Sequence, residues 1–176
     1  MGSWEGAQDT PYHLPPFVVR TAVCRDLGDI RAEVLASYDA LQFYRFQPEM
    51  RNLPPHLRRV QVFRVQDERS LLEIEKALEE FTPSALMLDT YHKEQLGGSG
   101  HTFDWSVAEQ IRASFRLPLI LAGGLNPENV YTAVCQVRPY AVDVSSGVER
   151  EPGRKDYGKI RAFCEAVASA NKTEKP

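Results

Sequence analysis

The sequence predicts an α/β fold in which parallel β-strands alternate with α-helices. Short runs rich in β-branched and aromatic residues alternate six times with longer stretches of helical hydrophobic period. Most of the short runs are apolar throughout, as expected for parallel strands covered on both faces. Six units in 176 residues are two short of a closed eight-stranded barrel, which usually takes about 200 residues or more. The pattern leaves two architectures open, a doubly wound open sheet and an incomplete barrel.

Each unit has a strand pattern followed by a helix pattern. The predicted strands are 17–24, 40–44, 60–65, 86–89, 119–122 and 141–144. The predicted helices are 27–37, 49–58, 68–81, 105–114, 127–136 and 157–169, with the least regular pattern at 49–58. Two helices show apolar stripes at helical spacing, Leu71, Ile74, Leu78 and Phe81 in one and Tyr157, Ile160, Cys164 and Val167 in the other. Asn126 before Pro127 predicts a helix start, because asparagine caps helices well and proline suits the first helical position.

Composition and charge exclude several classes of protein. Lysine and arginine number 21 against 24 for aspartate and glutamate, so the net charge is −3 and no basic field is available for nucleic acid or anionic lipid. The apolar runs are far shorter than the roughly 20 residues of a membrane span, and the N-terminus lacks signal-peptide features, so a cytoplasmic protein is expected. Three cysteines without CxxC spacing and four histidines without metal-binding spacing argue against disulfides and bound metal. One domain is expected at 15–170, between flexible ends at 1–14 and 171–176.

Glycine-rich loops follow three of the predicted strands. They contain Gly97, Gly98, Ser99 and Gly100 after the fourth strand, Gly123 and Gly124 after the fifth, and Ser145, Ser146 and Gly147 after the sixth. Glycine lets backbone N–H groups approach an anion closely, and ligands bind at the carboxyl ends of strands in both architectures. The last two loops predict a phosphate site. The other interpretation, that each glycine only serves a tight turn or a flexible loop, stays open.

Two carboxylates occupy strand ends. Asp89 follows an apolar strand, so partial desolvation would raise its pKa toward the range useful for a general acid. A helix cap or a loop salt bridge explains its position equally well. Asp143 lies between Val142 and Val144 and is expected on the opposite face of its strand, toward the interior. A carboxylate there needs a partner, and a ligand amine or hydroxyl would serve.

Several segments resemble the phosphoribosylanthranilate isomerase family, in matching order over about 15–170: LMLDT, GGSGHTFDW, LPLILAGGLNPENV and VDVSSGVEREPGRKDYGKI. The segment LPPFVVRTAVCRD resembles the third strand of that family, and the later segments resemble strands six to eight. The resemblance implies an incomplete TIM-barrel-like (β/α)8 fold of about six units, corresponding to strands three to eight. It also implies an isomerase of tryptophan biosynthesis, which converts phosphoribosylanthranilate to carboxyphenylamino-deoxyribulose 5-phosphate by an Amadori rearrangement without cofactor or metal.

The resemblance also implies roles for individual residues. Asp89 matches the catalytic acid, and Asp143 matches an aspartate on the substrate side of the last strand. Phosphate binding is implied for the two loops after the fifth and sixth predicted strands, with members Gly123, Gly124, Ser145, Ser146 and Gly147. Gly98 and Ser99 match a mobile loop beside the substrate. The implied ligand is a phosphorylated sugar carrying anthranilate.

The sequence departs from the family at three places. The cysteine base, in a KICG-type segment of the first strand, has no counterpart, and neither has the arginine that grips anthranilate. Where the family reads QLHG, this chain reads Gln42-Phe43-Tyr44-Arg45. Cys24 ends the first predicted strand, where a buried packing role is the more common use of cysteine than that of a base.

These departures predict an isomerase that is impaired on its own, since general base catalysis typically contributes about 10² to 10⁴ in rate. Two alternatives stay open: a non-catalytic protein that binds a phosphorylated ligand, and a fragment completed by another chain or by upstream sequence. A homo-oligomer is also left open. Neither nucleic acid nor a membrane is expected as a partner.

Overall fold

The computed structural model describes residues 18–25, 27, 35–89 and 105–172. Six strands form its main sheet: β1 (Thr21–Cys24), β2 (Ala40–Phe43), β3 (Arg58–Arg64), β4 (Ala85–Asp89), β5 (Leu119–Ala122) and β6 (Ala141–Val142). A small hairpin follows, made of β7 (Glu149–Glu151) and β8 (Arg154–Lys155). The helices are α1 (Arg69–Glu80), α2 (Ser106–Ser114), α3 (Val130–Val137) and α4 (Tyr157–Lys172), with short 3₁₀ helices at Pro48–Asn52 and Ser146–Val148.

The main sheet has the strand order of a barrel. Its strands are all parallel and pair strictly in sequence order from β1 to β6. A doubly wound sheet would reverse its strand order at a switch point, so that alternative is excluded. Within the described residues, β1 and β6 each pair with one neighbour, so hydrogen bonds do not close the ring. The predicted α/β, TIM-barrel-like fold of about six units is confirmed.

The main core lies between the sheet and its helices. Leu86, Leu88 and Leu121 alternate along β4 and β5 and pack with Ile74 of α1 and Ile111 of α2, all of them fully buried. Burying one such side chain contributes about 1.5–3 kcal/mol. The other face of the sheet carries a separate cluster of Val60, Val62, Ala85, Met87 and Ala122. This second face is the barrel interior, and the candidate site lies at its upper end.

The hydrogen-bond register aligns residues of neighbouring strands into levels. Arg64 pairs with Asp89, and Asp89 pairs with Ala122. The N–H of Asp143 donates to the Leu121 carbonyl at 2.8 Å, which continues the β5–β6 ladder and brings Asp143 beside Ala122. Four successive strands therefore present Arg64, Asp89, Ala122 and Asp143 at one height, which we call the upper level.

Several predicted boundaries need correction. The first predicted strand, 17–24, contracts to Thr21–Cys24, and the sixth, 141–144, to Ala141–Val142. The helix predicted at 49–58 is instead the 3₁₀ helix Pro48–Asn52, because Pro54 and Pro55 cannot donate the hydrogen bonds that would extend it. Most of the predicted helix 27–37 lies outside the described residues, as do 1–17 and 173–176.

Of the two predicted helix stripes, the one in α1 is correct and the one in α4 is half correct. Ile74 is fully buried in α1 and Leu71 and Leu78 pack beside it, as predicted. In α4 the predicted stripe is half correct: Ile160 and Val167 pack against the main core, but Tyr157 is 89% exposed and Cys164 is exposed as well. The residues that contact the main core are Phe163 and Ala170, which are buried, and Ile160 and Val167, which are partly buried. They repeat at the predicted spacing but start three residues later along the helix. Hydrophobic period alone did not separate these two phases.

The predicted cap before α3 is present, although the helix starts later. The Asn126 side-chain oxygen accepts hydrogen bonds from the N–H groups of Glu128 and Asn129, each at 3.0 Å. The α-helix itself begins at Val130, whose N–H donates to the Asn126 carbonyl at 3.1 Å. Asn126 thus caps the turn that leads into α3 and not the helix directly.

Candidate active site

A cavity of about 310 Å³ opens at the carboxyl ends of the strands, within the size range of small-molecule sites. Its polar side chains come from three strand ends, those of β2, β4 and β6: Gln42, Tyr44, Asp89, Asp143, Ser145 and Ser146. Gly123, Gly124 and Gly147 also line it. Every predicted site residue that the structure describes therefore borders this one cavity. Gly98 and Ser99 lie outside the described residues.

The loops after β5 and β6 meet at Gly147. A Cβ atom at this position would overlap the Leu125 carbonyl oxygen and come within 2.9 Å of its carbon and 3.1 Å of the Asn126 Cα. These neighbours are backbone atoms, so no side chain can rotate away. Gly123 and Gly124 on the facing loop have φ of 85° and 65°, which glycine adopts without strain. Glycine thus permits both the close approach of the loops and the turn after β5.

Asn129 braces the loop after β5. Its side-chain N–H donates to the Gly124 carbonyl at 3.0 Å, and its side-chain oxygen accepts from the Asn126 N–H at 2.9 Å. Together with the Asn126 cap, these bonds hold the loop against the first turn of α3. Sequence reasoning assigned Asn126 a role and missed Asn129, which lies in the same LNPENV segment.

Lys155 of the hairpin braces the loop after β6. Its ammonium donates to the Ser145 carbonyl at 2.9 Å and the Ser145 hydroxyl at 3.3 Å, and it pairs with Glu149 at 2.7 Å. The hydrogen bond from Lys155, with a second from the Gly153 N–H, lowers the pKa of Glu149 below its usual value. The hairpin was not predicted from the sequence, because its strands are two and three residues long.

Asp89 and Asp143 flank Ala122 at the upper level. The small alanine side chain between them leaves room for a ligand group that contacts both carboxylates. Solvent reaches Asp143 through the open mouth of the cavity, but the surrounding protein removes part of its hydration. This desolvation, with the negative charge of Asp89, raises the pKa of Asp143, and Lys155 partly opposes the shift. As predicted, Val142 and Val144 pack toward the main core while Asp143 lines the cavity.

Cys24 lies away from the cavity. Its side chain is 2% exposed and packs with Ala22, Leu35 and Leu41, on the face of the sheet opposite the cavity. Tyr44, in contrast, lines the cavity at the end of β2. Of the two side chains, only that of Tyr44 can contact a ligand there without a rearrangement of β1.

The described residues hold neither a cluster of metal-ligand side chains nor a membrane-spanning helix. Within residues 18–25, 27, 35–89 and 105–172, no three His, Cys, Asp or Glu side chains are grouped so that they could hold a metal ion. In the same part of the chain, no helix has the length and apolar character needed to cross a membrane.

The fold and the cavity define a protein of the (β/α)-barrel class with its site at the carboxyl ends of the strands. Residues 23–166 match the family model described as N-(5'-phosphoribosyl)anthranilate isomerase. The chain belongs to this family. It is similar to the N-(5'-phosphoribosyl)anthranilate isomerases of Thermotoga maritima, at 42% identity over 90% of this chain and 77% of the relative, and of Pseudomonas fluorescens, at 42% over 88% and 74%.

Solved structures show the same similarity. The crystal structure of phosphoribosyl anthranilate isomerase from Thermotoga maritima superposes with a TM-score of 0.73 at 39% identity, covering 89% of this chain and 76% of that chain. A second isomerase structure contains reduced 1-(o-carboxyphenylamino)-1-deoxyribulose 5-phosphate. It matches with a TM-score of 0.72 at 34% identity, over 93% of this chain and 78% of that chain.

Proposed function

We propose that this chain acts as a phosphoribosylanthranilate isomerase in tryptophan biosynthesis and holds the acid and the phosphate-binding loops of that site. One observation carries the proposal: Asp89, Asp143 and the two glycine loops surround a single cavity in a chain whose relatives are isomerases. We also propose that the protein is cytoplasmic, as expected for an enzyme of amino-acid biosynthesis.

The reaction needs a proton donor at the sugar ring. In the proposed mechanism, Asp89 donates a proton to the furanose oxygen as the bond from that oxygen to C1 breaks, which leaves a protonated Schiff base at C1. A base then removes the C2 proton to form the enolamine, which becomes the aminoketose. The protons balance in two pairs. The proton that leaves C2 is matched by the one that reaches C1, and the proton that Asp89 gives to the ring oxygen is matched by the one that the C2 hydroxyl loses as the ketone forms. General acid assistance of the first step typically contributes about 10² to 10⁴ in rate.

Asp143 is assigned to the sugar hydroxyl groups. Its carboxylate oxygens can accept hydrogen bonds from those hydroxyl groups, and desolvation together with the charge of Asp89 raises its pKa. The phosphate is assigned to the opposite wall, which Gly124 and the Ser146–Gly147 turn both line. This arrangement puts the two carboxylates near the sugar and the backbone amides near the phosphate.

The base for the second step is the part that the chain supplies least well. The titratable side chains among the described cavity residues are Asp89, Asp143 and Tyr44, and Cys24 lies on the other face of the sheet. We therefore propose slow turnover by the 176-residue chain alone. A second candidate, ligand binding without catalysis, follows from the same observation. The open edges of β1 and β6 would also accept a complementing chain.

The test measures turnover and binding on the same preparation. We expect the chain to bind the reduced carboxyphenylamino-deoxyribulose phosphate and to convert phosphoribosylanthranilate slowly. Asp89→Asn should abolish that conversion while phosphate affinity changes little, because an acid acts in the transition state more than in the ground state. Binding without any turnover would favour the non-catalytic candidate. Turnover that survives Asp89→Asn would refute the assignment of the acid.

A further inference from the structure

The rim of the cavity changes character from one end to the other. The glycine loops form the end beside β5 and β6, and the two carboxylates occupy the middle. The end beside β2 and β3 presents Tyr44, an aromatic ring that is 38% exposed. This end is two to three strand spacings, roughly 10–14 Å, from the glycine loops.

Arg64 lies at the same end, over the ring of Tyr44. Its guanidinium carbon is 5.7 Å from the ring centroid, a cation–π distance. Arg64 ends β3 and occupies the upper level beside Asp89. Because side chains alternate along a strand, it shares the inner face with Val62, which lines the cavity.

Arg64 differs in its bonding from three other basic residues near the sheet, Arg20, Arg59 and Lys155. Arg20 is paired with Asp39 at 3.2 Å, and Lys155 is paired with Glu149 at 2.7 Å. Arg59 donates to three backbone carbonyls of the segment before β3. For Arg64 the described residues provide the Tyr44 ring as a neighbour but no carboxylate within ion-pair distance. An aromatic neighbour orients the guanidinium while its N–H groups stay able to bind a ligand.

We propose that Tyr44 and Arg64 form a subsite for an aromatic carboxylate, with the ring of the ligand against Tyr44 and its carboxylate on the Arg64 guanidinium. The inference rests on the proposed function and names the residues that recognise the aromatic end of the substrate. A phosphorylated pentose that bears a carboxyphenylamino group has one anion at each end. Its phosphate would lie at the glycine loops, so its carboxylate must lie at the far end.

Charge makes a cation necessary at that end. A ligand carboxylate close to Asp89 and Asp143 would be repelled unless a positive group stood beside it. Arg64 is at the same level as both aspartates and lies on the side away from the phosphate loops. Its planar fork also matches the geometry of a carboxylate, which a lysine would not.

The test compares ligands that differ only at the aromatic end. Reduced carboxyphenylamino-deoxyribulose phosphate and its phenylamino analogue without the carboxylate are titrated by calorimetry into the wild type and into Arg64→Gln. We expect Arg64→Gln to weaken the carboxylated ligand roughly 10- to 100-fold, the effect of losing a charged hydrogen-bonded pair, and the uncarboxylated one by less than about twofold. Arg58→Gln, an exposed substitution at the start of the same strand with the same change in charge, should leave both affinities unchanged.

Variants of the tyrosine separate the ring from its hydroxyl. Tyr44→Phe should bind like the wild type, and Tyr44→Ser should weaken both aromatic ligands while ribose 5-phosphate binds as before. Equal weakening of both aromatic ligands by Arg64→Gln, or no weakening, would overturn the subsite and leave the proposed function intact. If the wild type binds ribose 5-phosphate and the carboxyphenylamino ligand with equal affinity, the proposed function fails together with the subsite.

Discussion

Replacing Gly147 by alanine tests whether the contact between the two glycine loops builds the phosphate site. The added Cβ would overlap the Leu125 carbonyl oxygen and lie 2.9 Å from the carbonyl carbon, whereas carbon atoms pack best at about 3.5–4.0 Å. The loops must therefore separate by half an ångström or more. Leu125 and Val148 on either side are 2% and 3% exposed and belong to the main core, so this movement disturbs packed residues.

The expected cost follows from that geometry. Overpacking of a close-packed site typically destabilises by about 1–3 kcal/mol. For a chain of this size, each kcal/mol lowers the melting temperature by roughly 2–4 °C. We expect the Gly147→Ala protein to melt about 2–12 °C lower and to bind inorganic phosphate at least about tenfold more weakly, since anion binding depends on where the backbone N–H groups lie.

Two measurements and two controls complete the experiment. Thermal unfolding followed by circular dichroism gives the stability, and calorimetry gives the phosphate affinity. Gly158→Ala, in the first turn of α4, should keep both, because its Cβ meets only the Asp156 Oδ1 at 3.1 Å and alanine favours a helix. Gly124→Ala is the second control. It strains the backbone at a φ of 65° but adds no clash between the two loops. A Gly147→Ala protein with wild-type stability and phosphate affinity would refute the reasoning.

Two further predictions concern the charged residues around the cavity. Desolvation and the charge of Asp89 raise the pKa of Asp143, so its ionisation opposes folding, and stability falls as pH rises from the unfolded-state pKa through the folded one. Asp143→Asn should therefore raise the melting temperature at pH 7 and give no gain near about pH 3, where the wild-type carboxyl is protonated; an equal gain at both pH values would contradict this. Lys155→Met should change the melting temperature little, because its ion pair with Glu149 is partly exposed, yet weaken phosphate binding several-fold by releasing the Ser145 loop. Lys155→Arg is the matched control that keeps the charge, and an unchanged phosphate affinity of the methionine variant in calorimetry would rule out the bracing role.

Much of the fold could be predicted from local patterns. Both ends of the strand at 119–122 were predicted correctly, because Pro118 and Gly123 bound the apolar run on either side. Asp89 and the loop glycines were recognised because they follow apolar runs whose carboxyl ends meet in any parallel sheet. The resemblance to a known family then selected the barrel over the open sheet, which periodicity alone left undecided.

Contacts between distant segments were decided by the tertiary structure. That Gly147 touches Leu125, that Lys155 holds Ser145, and that Arg64 lies over Tyr44 depend on strand register and loop placement. The buried phase of α4 and the outward direction of Cys24 were likewise set by packing against the sheet. Hydrophobic period identifies a helix or strand and its apolar face. Rotating a helix by one residue, or shifting a strand by one residue, brings different side chains together. Packing against the rest of the chain decides which of these arrangements forms.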